Sequence, residues 1–430
     1  MTNALVDLFA GCGGLSLGLE QAGFEPVFAN ELHPDAMATY LVNRKGSLVA
    51  EEQNHVLDVL ELTQDSGRLT TLAERLKHQH GEIALVAGGP PCQGYSGIGH
   101  RRSFDVDRVE MPSNHLYREM AKVVGALAPR AFLFENVRGL LTARWTPDGA
   151  KGEIWADVRS TFEDIQVDVG GNRLGYRTGH ALVVAKAYGV PQNRPRVLLV
   201  GIRDDIDVEL DSELPAGGLI PAPSGVAPDP IDLLCDLVDV GWIPGGATDA
   251  YPLPASNDVQ RALRASRAGG PPSRAGSELT DHEYSKHSAK VMAKFEHMIR
   301  SGGEIPEAMR TKKFAQRVLP ERWGKGGPSI TATSLPDDYV HFSQPRVLTV
   351  REWARLQMFP DWYEFVGKRT TGGRRRAGDP SVGNWTRDLP KYTQIGNAVP
   401  VPLAAAVGSH LLGLINADAR ASAGLSRLAA

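Results

Sequence analysis

The feature that most constrains the fold is a repeated alternation of short apolar runs with helical patterns in the first half of the chain. The strand-like runs read ALVDLF (4–9), EPVFANE (25–31), IALVAGG (83–89), AFLFENV (131–137) and RVLLVGI (196–202). Continuous apolar runs are typical of strands that are buried on both faces of a parallel sheet, and intervening helices complete βαβ units. We therefore predict a doubly wound α/β domain, in which ligands bind at the carboxyl ends of the strands.

The regular pattern stops after Gly201, and the rest of the chain is organised differently. Pro/Gly-rich segments at 214–230 and 267–277 interrupt short helical stretches, which is typical of boundaries and loops. We interpret 204 to about 323 as an inserted, less regular region. The apolar helix VPLAAAVGSHLLGLI is expected to pack back on the first domain. The predicted domains are accordingly 1–203, 204–385 with the variable region, and a returning segment at 386–430.

Composition restricts the class of protein and its location. The chain has 430 residues, a net charge of −3 and 42% hydrophobic residues, as in ordinary globular proteins, so a site for a polyanion would have to be a local patch. Three cysteines support neither a disulfide framework nor a four-ligand zinc site. The N-terminus lacks a signal-peptide pattern, and no run approaches the roughly 18 apolar residues of a membrane span. We expect a cytoplasmic protein with no membrane association and no metal.

A glycine-rich turn follows the first predicted strand. Gly11, Gly13 and Gly14 in DLFAGCGG would let the backbone approach a ligand at a helix N-terminus. The dinucleotide pattern G-x-G-x-x-G requires a third glycine where this chain has Ser16, which disfavours NAD. Glu31, 20 residues after Gly11, could bind ribose hydroxyls, and Asp58 could contact an adenine. The alternative is a tight turn that only packs a helix on a strand.

A second segment, GGPPCQGYSG (88–97), places a scarce cysteine in a stiff setting at the end of a predicted strand. Pro90 and Pro91 restrict the backbone and would aim the thiol, while the glycines leave room for a substrate. A thiolate becomes a strong nucleophile when nearby positive charge or N–H groups lower its pKa. Cys92 is therefore a candidate nucleophile, and a buried, inert cysteine is the alternative.

Two further strand ends carry charged side chains. Glu135 follows the apolar run FLF, and a carboxyl group in an apolar site keeps its proton and can act as an acid. Arg194 and Arg196 lie two residues apart at a strand start, so both could face one cleft. A salt-bridged or capping Glu135 and a solvated pair of arginines are the alternatives. Taken together, the groups suit a thiolate that adds to an electron-poor ring, an acid that supports charge on a ring nitrogen, and a methyl donor in the glycine turn.

These segments resemble the motifs of the cytosine-C5 DNA methyltransferase family, bacterial restriction-modification type, in the family's usual order. The matching stretches are DLFAGCGG, GGPPCQGYS, FLFENVRGL, PQNRPRVLLVGIR, QPRVLTVREWARLQMFPDWYEF and YTQIGNAVPVPLA. The resemblance implies a Rossmann-like, S-adenosyl-L-methionine-dependent catalytic domain with a second, smaller target-recognition domain. Leu32 departs from the pattern, because many members carry a bulkier residue there. The variable region has no match that identifies a target sequence.

The resemblance also implies roles for individual residues. The implied catalytic residues are Cys92, Glu135, Arg194 and Arg196. The implied cofactor-binding residues are Phe9, Gly11, Gly13, Gly14, Leu15, Glu31, Asp58 and Asn397. The implied DNA-binding residues are Gln93, Ser96, Arg101 and Arg102.

The implied reaction is methylation of C5 of a cytosine that is flipped out of double-stranded DNA, through a covalent bond between Cys92 and C6. The expected setting is a restriction-modification system or phage defence, with a cognate endonuclease or defence components as partners and a monomeric enzyme. Three alternatives remain at this stage: an RNA (tRNA) cytosine-5 methyltransferase, a catalytically silent DNA-binding relative, and an NAD oxidoreductase. The length of the 204–323 region favours DNA over RNA, and the absence of the dinucleotide pattern disfavours the oxidoreductase.

Overall fold

The structure is a computed structural model, and it describes residues 2–91, 112–146, 148–310, 316–322, 324, 327–330, 338–370 and 388–417. The predicted residues Cys92, Gln93, Ser96, Arg101 and Arg102 lie outside this part of the chain. Glu135, both arginines and all eight predicted cofactor-binding residues lie inside it.

A seven-stranded sheet forms the centre of the first half of the chain. Its strands are β1 (Ala4–Leu8), β2 (Glu25–Asn30), β3 (His55–Val56), β4 (Leu85–Gly88), β5 (Ala131–Val137), β8 (Tyr176–Val184) and β9 (Pro195–Arg203). The spatial order is β3-β2-β1-β4-β5-β9-β8. A short hairpin of β6 (Val167–Val169) and β7 (Asn172–Leu174) precedes β8. The five strands predicted from sequence are all present, with ends that shift by one or two residues.

The direction of β9 differs from the prediction. RVLLVGI was expected to be one of the parallel strands, but β9 pairs antiparallel with both β5 and β8. A continuous apolar run reports burial and not direction, so the sequence could not show this. Strand β8 was not predicted at all, because most of its residues are partly or fully exposed and include the polar Arg177, Thr178 and His180. The sheet is thus parallel except at β9.

Helices cover both faces of this sheet. The α-helices in the described ranges are α1 (Gly14–Gln21), α2 (Pro34–Val42), α3 (Leu60–Thr63), α4 (Ser66–His80), α5 (Leu116–Leu127), α6 (Glu153–Glu163), α7 (Pro230–Leu234), α8 (Asp258–Arg264), α9 (Ala289–Arg300), α10 (Val350–Arg355), α11 (Lys391–Asn397) and α12 (Val401–Ile415). Side chains of α4, α5 and α6 form one buried cluster with the sheet, and α1 and α12 form a second on the other face. The prediction that the C-terminal apolar helix packs back on the first domain is confirmed by these contacts.

The stretch Lys391–Ile415 is long and apolar enough, by length and composition alone, to cross a membrane. No other helix in the described ranges meets that test. More than half of its most apolar window is buried inside the fold, and α12 contributes Leu403, Val407 and Leu411 to the core. Packing against α1 and the sheet accounts for its composition.

The chain after β9 continues over the sheet and then forms a separate buried cluster. Ile206, Leu219 and Ile220 pack on the same face of the sheet as α12. Helices α7, α8 and α10 share another core around Trp353 and Tyr392, and the two-residue strands β10 (Arg317–Val318) and β11 (Tyr339–Val340) pair beside it. The domain boundaries at 203 and 385 stay predictions.

Candidate active site

The carboxyl ends of three parallel strands lie side by side and gather the predicted groups. In the register of the sheet, Leu8 of β1 is opposite Gly88 of β4, and Gly88 is opposite Phe134 of β5. Because β9 is antiparallel, its first residues reach the same edge, and Arg196 is opposite Val137. The edge where a doubly wound sheet binds ligands therefore carries the turn after β1, the segment after β4, Glu135 and Arg196.

The turn between β1 and α1 has an unusual backbone. Phe9, Gly11 and Gly13 all have positive φ angles, 55°, 57° and 88°. Phe9 is the informative case, since a bulky residue adopts this conformation only where the surroundings impose it. A Cβ added at Gly11 would meet nothing within 4 Å, so open space adjoins the turn there. The turn has the shape and the access of a ligand cradle.

The other glycines of this motif lie in a helix and not in the turn. Gly14 begins α1, where an added Cβ would lie 2.5 Å from the carbonyl oxygen of Val399. Gly18 is inside α1, against α12. These glycines allow α1 to approach the C-terminal segment closely, which the sequence motif did not predict. Leu15, a predicted cofactor-binding residue, places its side chain in the core beside β1.

Glu31 follows β2, and Asp58 follows β3. The carboxylates of both residues accept hydrogen bonds from backbone N–H groups. The Glu31 carboxylate accepts hydrogen bonds from the N–H of Gly11 at 2.9 Å and of His33 at 2.8 Å. Burial raises the pKa of Glu31, and these two amides partly offset that effect. Asp58 accepts from the N–H of Leu60 at 2.9 Å. Glu31 is thus held at the cradle, while Asp58 lies two residues before the short helix α3.

The residues before the predicted nucleophile are well defined. The Nδ2 of Asn136 donates to the carbonyl oxygen of Pro90 at 3.0 Å, which joins this segment to the end of β5. A Cβ added at Gly89 would lie 2.9 Å from Oε2 of Glu135. Gly89 therefore leaves the space that the Glu135 carboxyl group occupies.

Glu135 and Arg196 form a buried ion pair. Nε of Arg196 lies 2.6 Å from Oε1 of Glu135, and both side chains are about one-tenth exposed. The two charged groups are in direct contact, but Oε1 has no well-aligned hydrogen-bond donor among the described residues. Burial raises the pKa of Glu135, and the charges of Arg196 and Arg194 oppose the increase. Burial also lowers the pKa of Arg196. The carboxyl group is consequently poised to exchange a proton or a hydrogen bond with a ligand.

Arg194 lies just before β9 and has a different environment. Its guanidinium donates to the carbonyl oxygens of Gly396 at 2.6 Å, Ala398 at 3.0 Å and Ile330 at 3.2 Å. Two of these carbonyls flank Asn397, whose side chain is exposed at the end of α11. Through these described contacts, Arg194 holds the segment around Asn397 against the sheet.

Sequence reasoning missed a buried polar network beneath the cradle. Oγ of Ser16 lies 2.6 Å from Oδ2 of Asp7 and 2.9 Å from Oη of Tyr40. The guanidinium of Arg44 stacks on the Tyr40 ring at 3.8 Å, and Tyr363 contacts both Arg44 and the turn. The sequence offered one signal, namely an aspartate within the apolar run ALVDL. In the described ranges, no group of three or more His, Cys, Asp or Glu side chains could hold a metal ion.

The chain is similar to known proteins of one family over nearly its whole length. The family model for C-5 cytosine-specific DNA methylase matches residues 4–413. The Type II methyltransferase M.XorII of Xanthomonas oryzae pv. oryzae is 31% identical over 414 residues, which cover 95% of this chain and 84% of the relative. The Type II methyltransferase M1.HphI of Haemophilus parahaemolyticus is 30% identical, with 96% and 87% covered.

A solved structure is also similar. It is that of a candidate DNA modification methyltransferase encoded within a prophage of E. coli. The TM-score is 0.65 at 24% identity, and the alignment covers 96% of this chain and 99% of the other. This similarity extends to the whole fold, including the parts that follow β9.

Proposed function

Because the chain belongs to the C-5 cytosine-specific DNA methylase family and is a DNA (cytosine-5-)-methyltransferase, we propose that it acts on a flipped-out cytosine in a specific DNA sequence. The proposed methyl donor is S-adenosyl-L-methionine, as the family and the fold imply. The observation that supports this most directly is the buried pair of Glu135 and Arg196, which lies beside Gly89 at the same sheet edge as the cradle.

The cradle fits the proposed methyl donor. Open space adjoins the strained turn at Gly11, and the amides of Gly11 and His33 hold the Glu31 carboxylate at its rim, where the remaining lone pairs can accept hydrogen bonds from ribose hydroxyls. Leu32 is 64% exposed directly after Glu31, so an apolar side chain is available to an adenine ring. The other proposed contacts are the backbone at Gly13, Gly14 and Leu15 and the residues Phe9, Asp58 and Asn397. When bound, the donor supplies an electrophilic methyl group.

The proposed reaction begins with the thiolate of Cys92, which forms a bond to C6 of cytosine. The electron pair of the C5–C6 double bond then becomes available at C5, and this carbon takes the methyl group as the carbon–sulfur bond of the donor breaks and its electron pair stays on the sulfur. Loss of the C5 proton to a base and departure of the thiolate from C6 restore the double bond and free the enzyme. The chain's three cysteines include Cys12, which is buried with a pKa raised by burial, so Cys12 is unsuited to this role.

Glu135 and Arg196 would stabilise the ring while it is covalently bound. The raised pKa of Glu135 favours the protonated carboxyl, which can donate to N3, while its other oxygen accepts from the exocyclic amine. Arg196, already in contact with Oε1 of Glu135, would donate to the O2 oxygen. Their burial makes both interactions stronger than they would be in water.

The biological setting is a proposal that rests on the relatives. The relatives of this chain include Type II methyltransferases, which supports a restriction-modification role with an endonuclease partner. A role in phage defence, a monomeric state and a cytoplasmic location are further proposals. Gln93, Ser96, Arg101 and Arg102 are proposed to contact the DNA; backbone phosphates would fix position there and not sequence.

The proposed chemistry is tested by Cys92→Ser, with Cys235→Ser as the matched control. Cys235 is partly buried beside Gln260, at 3.1 Å from its Nε2, in the inserted region. We expect Cys92→Ser to lose methyl transfer to DNA and Cys235→Ser to keep it. Wild type and Cys235→Ser should form a covalent adduct with DNA that contains 5-fluorocytosine, because fluorine blocks elimination, and Cys92→Ser should not.

Full activity of Cys92→Ser would exclude the covalent mechanism. Incubation of the wild type with tRNA in the same assay would reveal an RNA substrate, and methylation of tRNA without methylation of DNA would contradict the proposed substrate. Bisulfite sequencing of host DNA with and without the enzyme identifies the target sequence.

A further inference from the structure

We propose that Tyr363 is a positioning residue that holds the turn after β1 in its ligand-binding shape. This inference rests on the proposed function, because it assumes that the turn binds the methyl donor. Tyr363 lies in the segment after α10, far from the turn in sequence. Its side chain is fully buried, so it would act through the turn and not through the ligand.

Tyr363 makes a hydrogen bond to the backbone of the turn. Its Oη donates to the carbonyl oxygen of Cys12 at 2.6 Å, across 351 residues of sequence. Cys12 lies between Gly11 and Gly13, which both have positive φ. Such a turn keeps its shape only where its surroundings fix it. On the opposite side of the turn, the Glu31 side chain accepts a hydrogen bond from the amide of Gly11, and the Asn30 side chain accepts one from the amide of Phe9.

Tyr363 also packs closely against Gly13. A Cβ at this position would lie 2.6 Å from Oη of Tyr363 and 2.8 Å from Nη1 of Arg44. The tyrosine and the arginine thus lie directly against the turn backbone, with no room for a side chain between them. Nη1 of Arg44 also donates to Oη of Tyr363 at 3.3 Å and to the carbonyl oxygen of Tyr40 at 3.0 Å. Arg44 is itself fixed by Glu20, which accepts from its Nε at 2.9 Å.

The segment around Tyr363 is itself anchored on both sides. The amide of Glu364 donates to Oδ1 of Asn43 at 2.9 Å, and that of Val366 donates to Oγ1 of Thr39 at 2.8 Å. Two residues before Tyr363, the carboxylate of Asp361 accepts from Arg355 at 2.9 and 2.6 Å. Tyr363 is therefore a rigid support, and it joins the turn to the part of the chain that contains the proposed recognition region.

Tyr363→Phe tests the inference, because it keeps the ring and removes only the hydroxyl. The matched control is Tyr176→Phe. Tyr176 is also buried and donates to a backbone carbonyl, that of Pro129, at 2.8 Å, but it lies in β8, away from the turn. Binding of S-adenosyl-L-homocysteine without DNA is measured by calorimetry, and thermal unfolding is recorded for each variant.

We expect Tyr363→Phe to weaken binding about 10-fold, which corresponds to about 1.4 kcal/mol. Tyr176→Phe should bind as the wild type does, although both variants lose a buried hydrogen bond and some thermal stability. In steady-state assays, Tyr363→Phe should raise the KM for S-adenosyl-L-methionine by a similar factor and leave kcat at saturation within about 2-fold of wild type.

Equal affinities of Tyr363→Phe and wild type would overturn the inference. So would an equal loss of affinity in both variants, since the effect would then follow from lower stability alone. A wild-type protein that binds no S-adenosyl-L-homocysteine would instead contradict the proposed function, so the two failures are distinguishable.

Discussion

At the scale of single residues, Asp7 shows how strongly burial changes a side chain that the sequence presents as an ordinary aspartate. It is fully buried in β1, and its Oδ1 has no hydrogen-bond partner in the described structure. Burial raises the pKa of Asp7 from 3.8 to about 7, and the hydrogen bond with Ser16 and the charge of Arg44 only partly offset this. Neither the depth of burial nor the neighbours can be read from ALVDL.

The raised pKa of Asp7 makes a prediction about stability and pH. The folded protein holds a proton that the unfolded chain releases, so this stabilisation is complete below pH about 4 and is lost as the pH rises through about 7. Asp7→Asn has no charge to bury at either pH. Relative to wild type, it should therefore gain on the order of 4 kcal/mol of unfolding free energy between pH 4 and pH 7.5, as measured by urea unfolding.

Asp205→Asn is the control, because the contribution of Asp205 to stability changes with pH in the opposite direction. A hydrogen bond from Arg203 lowers the pKa of Asp205, so its stabilisation is present above pH about 4 and is lost as the pH falls. This variant should have a lower unfolding free energy than wild type at pH 7.5, and the difference should disappear in acid. If the stability difference between Asp7→Asn and wild type does not change with pH, Asp7 does not titrate in this range.

At the scale of elements, the contact between α1 and α12 depends on the absence of a side chain at Gly18. A Cβ there would lie 2.4 Å from both Cβ of Ala404 and the carbonyl oxygen of Val401, and 2.7 Å from the amide nitrogen of Ala405. Two of these atoms are backbone, so the helices would have to separate. The sequence predicted both helices, but it did not predict that they pack on each other.

We predict that Gly18→Ala destabilises the protein by about 2–3 kcal/mol, because the added methyl group overpacks the interface. Gly125→Ala is the matched control. Gly125 lies in α5, where an added Cβ would meet nothing within 4 Å, so alanine should be neutral or stabilising by up to about 1 kcal/mol. Urea unfolding measures both. A Gly18→Ala variant as stable as wild type would show that α1 and α12 can separate without cost.

At the scale of the whole molecule, Arg194 joins three distant parts of the chain. It precedes β9 and donates to carbonyl oxygens of Ile330, Gly396 and Ala398. Burial lowers its pKa well below the usual value, and nearby Arg196 adds to this effect. A buried guanidinium that is shared among backbone carbonyls fixes the segment around Asn397 relative to the sheet.

Arg194→Met and Arg196→Met should therefore change different kinetic constants. Arg194→Met leaves three buried carbonyls without this donor, and we expect the KM for S-adenosyl-L-methionine to rise about 10-fold with little change in kcat. Arg196→Met removes the partner of Glu135 and the proposed contact to the base, and we expect kcat to fall at least about 100-fold. Steady-state kinetics on DNA distinguish the two. A large fall in kcat for Arg194→Met, with an unchanged KM, would show that Arg194 takes part in the reaction itself.

The sequence by itself located five of the seven strands of the central sheet and identified the family. Apolar runs located β1, β2, β4, β5 and β9, since burial on both faces of a sheet requires consecutive apolar residues. Six short motifs in order identified a cytosine-C5 DNA methyltransferase, which the family comparison shows. Glu135 and Arg196 were placed together correctly, because both lie at strand ends on the ligand-binding edge of the sheet.

Only the tertiary structure decided how these elements meet. The antiparallel direction of β9, the contact of α1 with α12 and the hydrogen bond between Tyr363 and Cys12 all join residues that are far apart in sequence. Local patterns report burial and backbone preference, whereas such contacts depend on which distant surfaces are brought together. The same reason explains why Arg194 and Arg196, two residues apart, have different partners: the first lies outside the strand against the C-terminal segment, and the second lies within the strand beside Glu135.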